Sequence, residues 1–279
     1  MIDLLTTIVV WLNSCANALG GVLLAPVAWL PGWLSATAVA VVSGVALLAV
    51  FKYTSNQTAI KSVKDDVKAN LLALKLFKEN TPVVLRSQAG VFWGATRLAL
   101  FAVVPMLVMT APVLLALGQL SLWFQSRPLN VDEEAVVTLN VADTAAVSAA
   151  RLEPNAAIEV PVGPLQVPSE RQVCWRIKAL RPGRHQLVFR VGDRAAGKEL
   201  AVGDRLMRVS SLRPAWNLGD ALLNPAETPL DRASPIQSIA IAYPPRSSWT
   251  SGADTWVVYW LVVSMAAGFA FRRVLNVNM

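Results

Sequence analysis

Long uncharged stretches and short alternating runs divide this chain into two kinds of territory. Residues 4–51 carry no Asp, Glu, Lys, Arg or His over 48 positions, residues 98–126 none over 29, and residues 255–271 none over 17. Crossing ~30 Å of hydrocarbon at ~1.5 Å per residue takes about 20 helical residues. The second run is long enough, and predicts a spanning helix over 98–126. The third lies at the short end of the usual range and predicts one over 254–272, where Trp256, Tyr259 and Trp260 crowd one end as interfacial aromatics do. The first run is too long for one crossing, and Gly20, Gly21, Pro26, Pro31 and Gly32 divide it. It predicts a spanning helix over 33–53, preceded over 1–32 by an interfacial amphipathic helix and turn. Trp11, Asn13, Ser14 and Asn17 among apolar neighbours suit an in-plane helix. The competing reading, a cleaved signal peptide, needs a basic start, and the chain begins Met1-Ile2-Asp3.

Segment 54–97 has a different period. Ile60, Val63, Val67, Asn70, Leu74 and Phe77 recur at alternating steps of three and four, a coiled-coil seam with one polar core position. Glu79-Asn80-Thr81-Pro82 ends that helix, with Thr81 suited to an N-cap and Pro82 to the first position of the next helix. The prediction is a helical hairpin; an amphipathic helix lying on anionic lipid is the blander alternative, and the flanking lysines suit both.

Between 127 and 253 the pattern shortens to runs such as Ala135–Val141, Val173–Leu180, His185–Val191, Lys198–Val202, Leu206–Val209 and Ile236–Ala242, punctuated by Pro182-Gly183 and Gly192-Asp193. Seven or eight strands at this spacing predict an immunoglobulin-like β-sandwich with Trp175 packed between its sheets. Residues 212–234 read as a long loop, either a binding surface or a tether. His185 reads as a solvated strand residue, and Ser210 and Ser211 have no GxSxG elbow or partnered base in the sequence.

Charge then orients these elements. Segment 52–97 has eight cations against three anions, the tail adds Arg272 and Arg273, and 127–254 is nearly balanced. Almost all of the +7 formal charge therefore sits at two places that a three-crossing topology puts on one side. The positive-inside rule makes that side cytoplasmic, with the N-terminus and 127–253 outside and a cytoplasmic tail over 273–279. Composition agrees: 54% hydrophobic and only 15% charged residues, with mean hydropathy +0.48, point to a membrane protein carrying a polar domain. Cys15 and Cys174 form no metal-ligand spacing or disulfide framework, and the single histidine argues against His-based catalysis. No metal, no cofactor, no specific nucleic-acid site and no enzymatic activity are expected. The fold class is thus an α-helical membrane protein with three transmembrane helices, a cytoplasmic hairpin and an inserted all-β sandwich domain.

The order of these elements, carried by Ile60-Lys-Ser-Val-Lys-Asp-Asp-Val-Lys-Ala-Asn-Leu-Leu-Ala-Leu-Lys-Leu-Phe77 and by Val104-Pro-Met-Leu-Val-Met-Thr-Ala-Pro-Val-Leu-Leu-Ala-Leu117, resembles the YidC/Oxa-type membrane insertase superfamily. Three crossings make the chain similar to the short members of that superfamily; bacterial members have five core spans and often an arginine within the first, which is absent here. The resemblance implies a non-enzymatic insertase or chaperone-like component of a plasma membrane, bacterial inner membrane being the expected setting. It would contact membrane lipids, client membrane proteins, a ribosome or translocon, and a partner subunit.

The resemblance also implies a hydrophilic groove. Its candidate lining is Ser35, Thr37 and Ser43 in the first span, Thr110, Gln119 and Ser121 in the second, and Arg97 at the cytoplasmic mouth. For any one of these hydroxyls, a helix–helix hydrogen bond is the simpler reading. Lys61, Lys64, Lys68, Lys75 and Lys78 are the candidate contacts of the hairpin. The alternative function is a membrane-anchored extracytoplasmic β-sandwich acting as a binding or scaffold module.

Overall fold

The computed structural model describes residues 2–252 and 255–277. The chain forms two compact units: Met1–Thr37 with Leu114–Tyr259, and Ala38–Val113 with Trp260–Met279. Helices α1 (Ile2–Leu24), α2 (Gly32–Thr54), α3 (Gln57–Leu76), α4 (Thr81–Phe124) and α7 (Trp256–Phe271) hold nearly all of the apolar sequence, and short helices α5 (Thr144–Ala149) and α6 (Leu218–Leu223) interrupt a strand-rich region. Among the described residues, three helices are long and apolar enough to cross a membrane, over Asp3–Leu24, Gly32–Thr54 and Thr81–Thr110.

That set differs from the expected spans. The window on α2 agrees with 33–53. α1 extends beyond Gly20 and Gly21, because glycine only weakens a helix whose other residues are good apolar formers. It is therefore long enough to span, where the sequence predicts an interfacial helix over 1–32. Conversely, α7 has only 16 residues, about 24 Å. The expected boundary between hairpin and second span at 97/98 is not a break at all. α4 runs unbroken for 44 residues through Arg97 and past Pro105 and Pro112, since nothing at 97/98 interrupts helical backbone bonding.

In the second unit, α3 and the first half of α4 form the expected hairpin. A Cβ on Gly94 would lie 2.3 Å from Val67 Cγ2, and one on Gly90 would lie 2.7 Å from the Asn70 side-chain amide. Rising numbers on α3 thus meet falling numbers on α4, and the pair is antiparallel. Ile60, Val63 and Ser87 are buried at this seam, while Phe77, which follows the last residue of α3, is exposed. The cap of α4 is Asn80, one residue earlier than predicted: its side chain accepts from the Val83 amide at 3.4 Å.

Among the described residues of the first unit, eight strands make two antiparallel sheets: β3-β4-β1-β8-β7 and β2-β5-β6. These are β1 (Glu134–Val141), β2 (Ala150–Leu152), β3 (Ile158–Val167), β4 (Gln172–Ala179), β5 (Gly183–Val191), β6 (Arg194–Val202), β7 (Leu212–Arg213) and β8 (Ile236–Ile241). Alternate residues turn inward: Val137, Leu139, Ile177 and Ile239 from the larger sheet share one core with Leu187, Phe189 and Leu200 from the smaller. Burying each such side chain contributes roughly 1.5–3 kcal/mol. Trp175 meets Phe189 across the sandwich at 5.5 Å between ring centroids, tilted by 57°. The Gly192-Asp193 turn closes the β5–β6 hairpin, Gly192 taking φ 58° between the paired Val191 and Arg194.

The strand order departs from the immunoglobulin-like one. There the first strand lies at an edge, whereas here β1 is internal, paired with both β4 and β8. The expected strand Leu206–Val209 is irregular, its Val209 amide bonding instead to the Leu122 carbonyl at the end of α4.

Candidate functional site

Two places in the molecule concentrate unusual geometry, one in each unit. The first lies among the apolar helices. Gly44 of α2 faces α7 so closely that a Cβ there would lie 2.3 Å from the Ser264 carbonyl oxygen. Trp260 Nε1 donates to Ser43 Oγ at 3.1 Å, fixing the same pair of helices. Small residues permit this approach: Ala40 and Gly44 on α2, Ser264 and Gly268 on α7, each pair four residues apart. Beside the contact is a cavity of about 350 Å³ lined by Leu47, Leu48 and Phe51 of α2, Met109 and Val113 of α4, and Leu261 and Met265 of α7. Its lining is almost wholly apolar. Methionine, unbranched and polarizable, suits a surface that accommodates different apolar shapes.

The predicted groove residues are not gathered in this cavity. Thr37 Oγ1 bonds to the Trp33 carbonyl at 2.7 Å and to the Tyr259 hydroxyl at 2.6 Å. Ser43 bonds to the Val39 carbonyl, Thr110 to the Met106 carbonyl at 2.9 Å and Ser121 to the Gly118 carbonyl at 2.8 Å. Ser35 is fully buried, and its hydroxyl has no partner among the described residues. Backbone satisfaction of this kind is the ordinary fate of Ser and Thr in apolar helices. Arg97 is exposed, its guanidinium 6.0 Å from the Phe101 ring. Of the hairpin lysines, Lys61, Lys68, Lys75 and Lys78 are exposed and Lys64 is half-buried; Lys68 pairs with Asp65 at 3.5 Å.

The second place joins α1 to the β domain. Asp3, Thr6, Asn13, Asn17 and Gly20 recur at helical spacing on one stripe of α1. Loop 212–234 covers this stripe. Arg232 pairs with Asp3, Asn13 Nδ2 donates to the Ala221 carbonyl at 2.7 Å, and Asn17 Nδ2 donates to the Pro225 carbonyl at 2.7 Å. Gln119, at the end of α4, donates to Asn17 Oδ1 at 2.8 Å. The opposite side of α1, with Leu4, Trp11, Leu19, Val22 and Leu23, is exposed and apolar.

The same loop is pinned from below by a buried polar cluster. Lys198 of β6 is fully buried and donates to Glu227 Oε1 at 2.5 Å, to the Ser210 carbonyl at 2.6 Å and to Ser210 Oγ at 3.0 Å. Ser210 Oγ donates to Glu227 Oε1 at 2.5 Å, and the other carboxylate oxygen accepts the Glu199 amide at 3.1 Å. Burial pushes the Lys198 ammonium below its ordinary value, opposed by Glu227. A serine beside a lysine could suggest nucleophilic chemistry. Here, however, the hydroxyl proton is directed at a carboxylate and Ser210 is only 2% exposed, so the arrangement serves as a latch. Arg208 and Arg213 add bonds to the Ala226 and Thr228 carbonyls. Over the latch lies a polar cleft of about 460 Å³ whose walls include Arg184, His185, Glu199 and Arg213. His185 is half-buried on β5, its Nε2 2.9 Å from the Arg181 carbonyl oxygen.

Where α4 leaves its apolar stretch, Arg127 and Glu133 form a two-pronged pair, both contacts 2.7 Å. The bond from Arg127 holds the Glu133 carboxyl below the usual range, against an opposing effect of burial. Arg246 Nε donates to the Trp123 carbonyl at 3.0 Å, filling a helix-end acceptor; burial, with a smaller effect of Arg127, brings its guanidinium down to about 10.

Sequence reasoning missed the latch, yet a signal existed. Ala196, Lys198, Leu200 and Val202 share the inward parity of β6, which puts a lysine in a core row. Compared with known proteins, the chain matches no family model, no curated protein and no solved structure.

Proposed function

We propose that this protein is a non-enzymatic membrane component that helps client transmembrane segments enter the bilayer, acting within a complex. The observation that carries the reading is the apolar cavity between α2, α4 and α7. It adjoins a helix pair locked by glycine and serine, and α4 continues from it into the basic hairpin. A client helix that laid an apolar face there would exchange lipid contacts for protein contacts at little desolvation cost. The polar-lined groove implied by the resemblance is not needed for this step.

Charge and covering support one membrane placement. Lysine-rich 52–97 and Arg272-Arg273 face the cytoplasm, and the β domain lies outside, in a bacterial inner membrane. In this topology α1 lies along the outer boundary. Carried into hydrocarbon, it would take with it a loop containing Asp220 and the exposed Asp231, at several kcal/mol for each polar group left without a partner. Its apolar side then rests in the outer leaflet, as an in-plane helix does.

The test is depletion followed by membrane proteomics. Small single-span proteins should fall in the membrane fraction, and a photo-crosslinker at Leu47 or Met265 should capture such clients during synthesis. Unchanged levels together with no adducts would overturn the proposal. A second reading, an extracytoplasmic binding module, draws support from the polar cleft over Glu199 and Arg213. It predicts that paired substitutions Arg184→Ala and Arg213→Ala reproduce the depletion phenotype while client insertion stays normal.

A further inference from the structure

The β5–β6 hairpin turns a row of polar residues away from the sandwich core. On β5, Arg184 and Gln186 alternate with the inward Leu187 and Phe189; on β6, Gly197 and Glu199 alternate with the inward Ala196, Lys198 and Leu200. Gln186 pairs with Glu199 across the hairpin, and Gly197 leaves the space its amide occupies: a Cβ there would lie 2.3 Å from Gln186 Nε2. Arg213 of β7 comes to the same glycine. Its Nη1 donates to the Gly197 carbonyl at 2.5 Å and its Nε to the Thr228 carbonyl at 3.0 Å. A side-chain amide and a guanidinium therefore converge beside the polar cleft of about 460 Å³ that both line. Two backbone carbonyls fix the guanidinium and leave its remaining N–H groups free.

The charges around this cleft do not balance. Glu227 is fully engaged, Oε1 by Lys198 and Ser210 and Oε2 by the Glu199 amide. Glu199 lies between Arg184 Nε at 3.7 Å and Arg208 Nη2 at 3.6 Å. Arg213 has no carboxylate within 4 Å among the described residues. In and directly behind the cleft, four cations (Arg184, Lys198, Arg208 and Arg213) thus meet two carboxylates, Glu199 and Glu227. Burial, and to a smaller degree Arg213, push the Lys198 ammonium down, so the charge of Arg213 is felt inside the domain. A neighbouring cleft that Arg213 also lines adds one charge of each sign, Arg194 and Asp231, and leaves the excess unchanged. A cation would be repelled here, and an acyl chain would find polar walls. An oxyanion meets a preorganised fork with no carboxylate of its own.

We infer that this cleft binds a small molecule carrying a carboxylate or phosphate group. The free N–H groups of Arg213 hold the anion in a two-pronged contact, with Arg184 and the Gln186 amide beside it. The inference rests on the second reading above only in taking the cleft as a ligand site, and takes nothing from client insertion.

The full chain in phosphatidylcholine nanodiscs is titrated calorimetrically with inorganic phosphate, with succinate, and with choline as the cationic control. At least one of the two anions should bind, and choline should not. Gln186→Glu, an exposed near-isostere that sets a carboxylate beside Arg213, should weaken anion binding at least ~10-fold. Arg213→Lys keeps the charge, loses the fork and should weaken binding less. Arg86→Gln, far outside the β domain in sequence, should leave it unchanged. Unchanged far-UV circular dichroism checks that each variant keeps its fold. Binding of neither anion, binding that Gln186→Glu leaves intact, or tighter binding of choline overturns the inference. Nanodiscs containing phosphatidylglycerol identify the source of the oxyanion: competition there assigns the cleft to a lipid headgroup phosphate, and undiminished binding assigns it to a soluble molecule. Cells that carry Gln186→Glu and show no depletion phenotype, although the variant has lost the anion, would count against the second reading alone.

Discussion

Gly44 and Ser264 touch backbone to backbone: a single methyl on Gly44 would sit 2.3 Å from the Ser264 carbonyl oxygen, where no side chain can be placed. The obstacle is main chain, so no rotamer change relieves it. Gly44→Val should push α2 and α7 apart, break the Trp260–Ser43 hydrogen bond and cost a few kcal/mol by overpacking. The check is amide hydrogen exchange in α2 and α7, which should quicken together in the valine variant. Gly44→Ala should show a smaller effect in the same direction.

Asn17 joins three elements, donating to the Pro225 carbonyl and accepting from Gln119. Asn17→Leu keeps the volume and removes both bonds, leaving buried acceptors and a donor without partners at about 1–3 kcal/mol. Hydrogen exchange in α1 and in loop 212–234 should quicken together, while the sandwich core around Trp175 stays protected. Faster exchange in α1 with an unchanged loop would show that the two are not joined through this residue.

Lys198→Met should strand the Glu227 carboxylate and the Ser210 hydroxyl in a dry site, a loss of about 3–5 kcal/mol for breaking one side of a buried pair. The double variant Lys198→Met with Glu227→Leu should recover much of that loss in unfolding midpoint. Limited proteolysis separates the two roles of the latch. Cleavage within 224–230 should rise sharply in the single variant and much less in the double.

Arg127 and Glu133 predict an acid response. The folded pKa of Glu133 is depressed, chiefly by the hydrogen bond from Arg127, so the stabilisation is present above the ordinary carboxylate value of about 4.3. It disappears as pH falls through the folded value. Both side chains are about a third exposed, so the effect is of order 1 kcal/mol after screening. Arg127→Met should lower the unfolding midpoint at pH 7 and converge with the parent protein near pH 3. A constant difference across that range would sink the assignment.

Periodicity carried much of the architecture because the hairpin and the central strands obey it. Val67 and Asn70 lie on the predicted seam and do meet α4; Trp175, a lone large aromatic in an alternating run, does pack between sheets. Other features were invisible for physical reasons. β3 contains Pro161, Gly163 and Pro164, which spoil its alternation, yet an edge strand tolerates them through register shifts. The continuity of α4 was hidden by charge: Arg97 interrupts the uncharged run of side chains and changes nothing for the backbone. The hydroxyls of Thr37, Ser43, Thr110 and Ser121 looked like groove lining because sequence lists polar atoms without their acceptors. Their acceptors are carbonyls one turn earlier on the same helix.

Pro105 and Pro112, seven residues apart on one unbroken rod, lack the amides that would ordinarily reach the carbonyls of Phe101 and Val108. Two helical turns separate these oxygens, about 10 Å along one flank. Wherever water is excluded from that flank, each oxygen would lack its ordinary donor. An amide, hydroxyl or ammonium drawn to one of these carbonyls would find its counterpart two turns farther along the same flank, spaced like the next rung of a ladder.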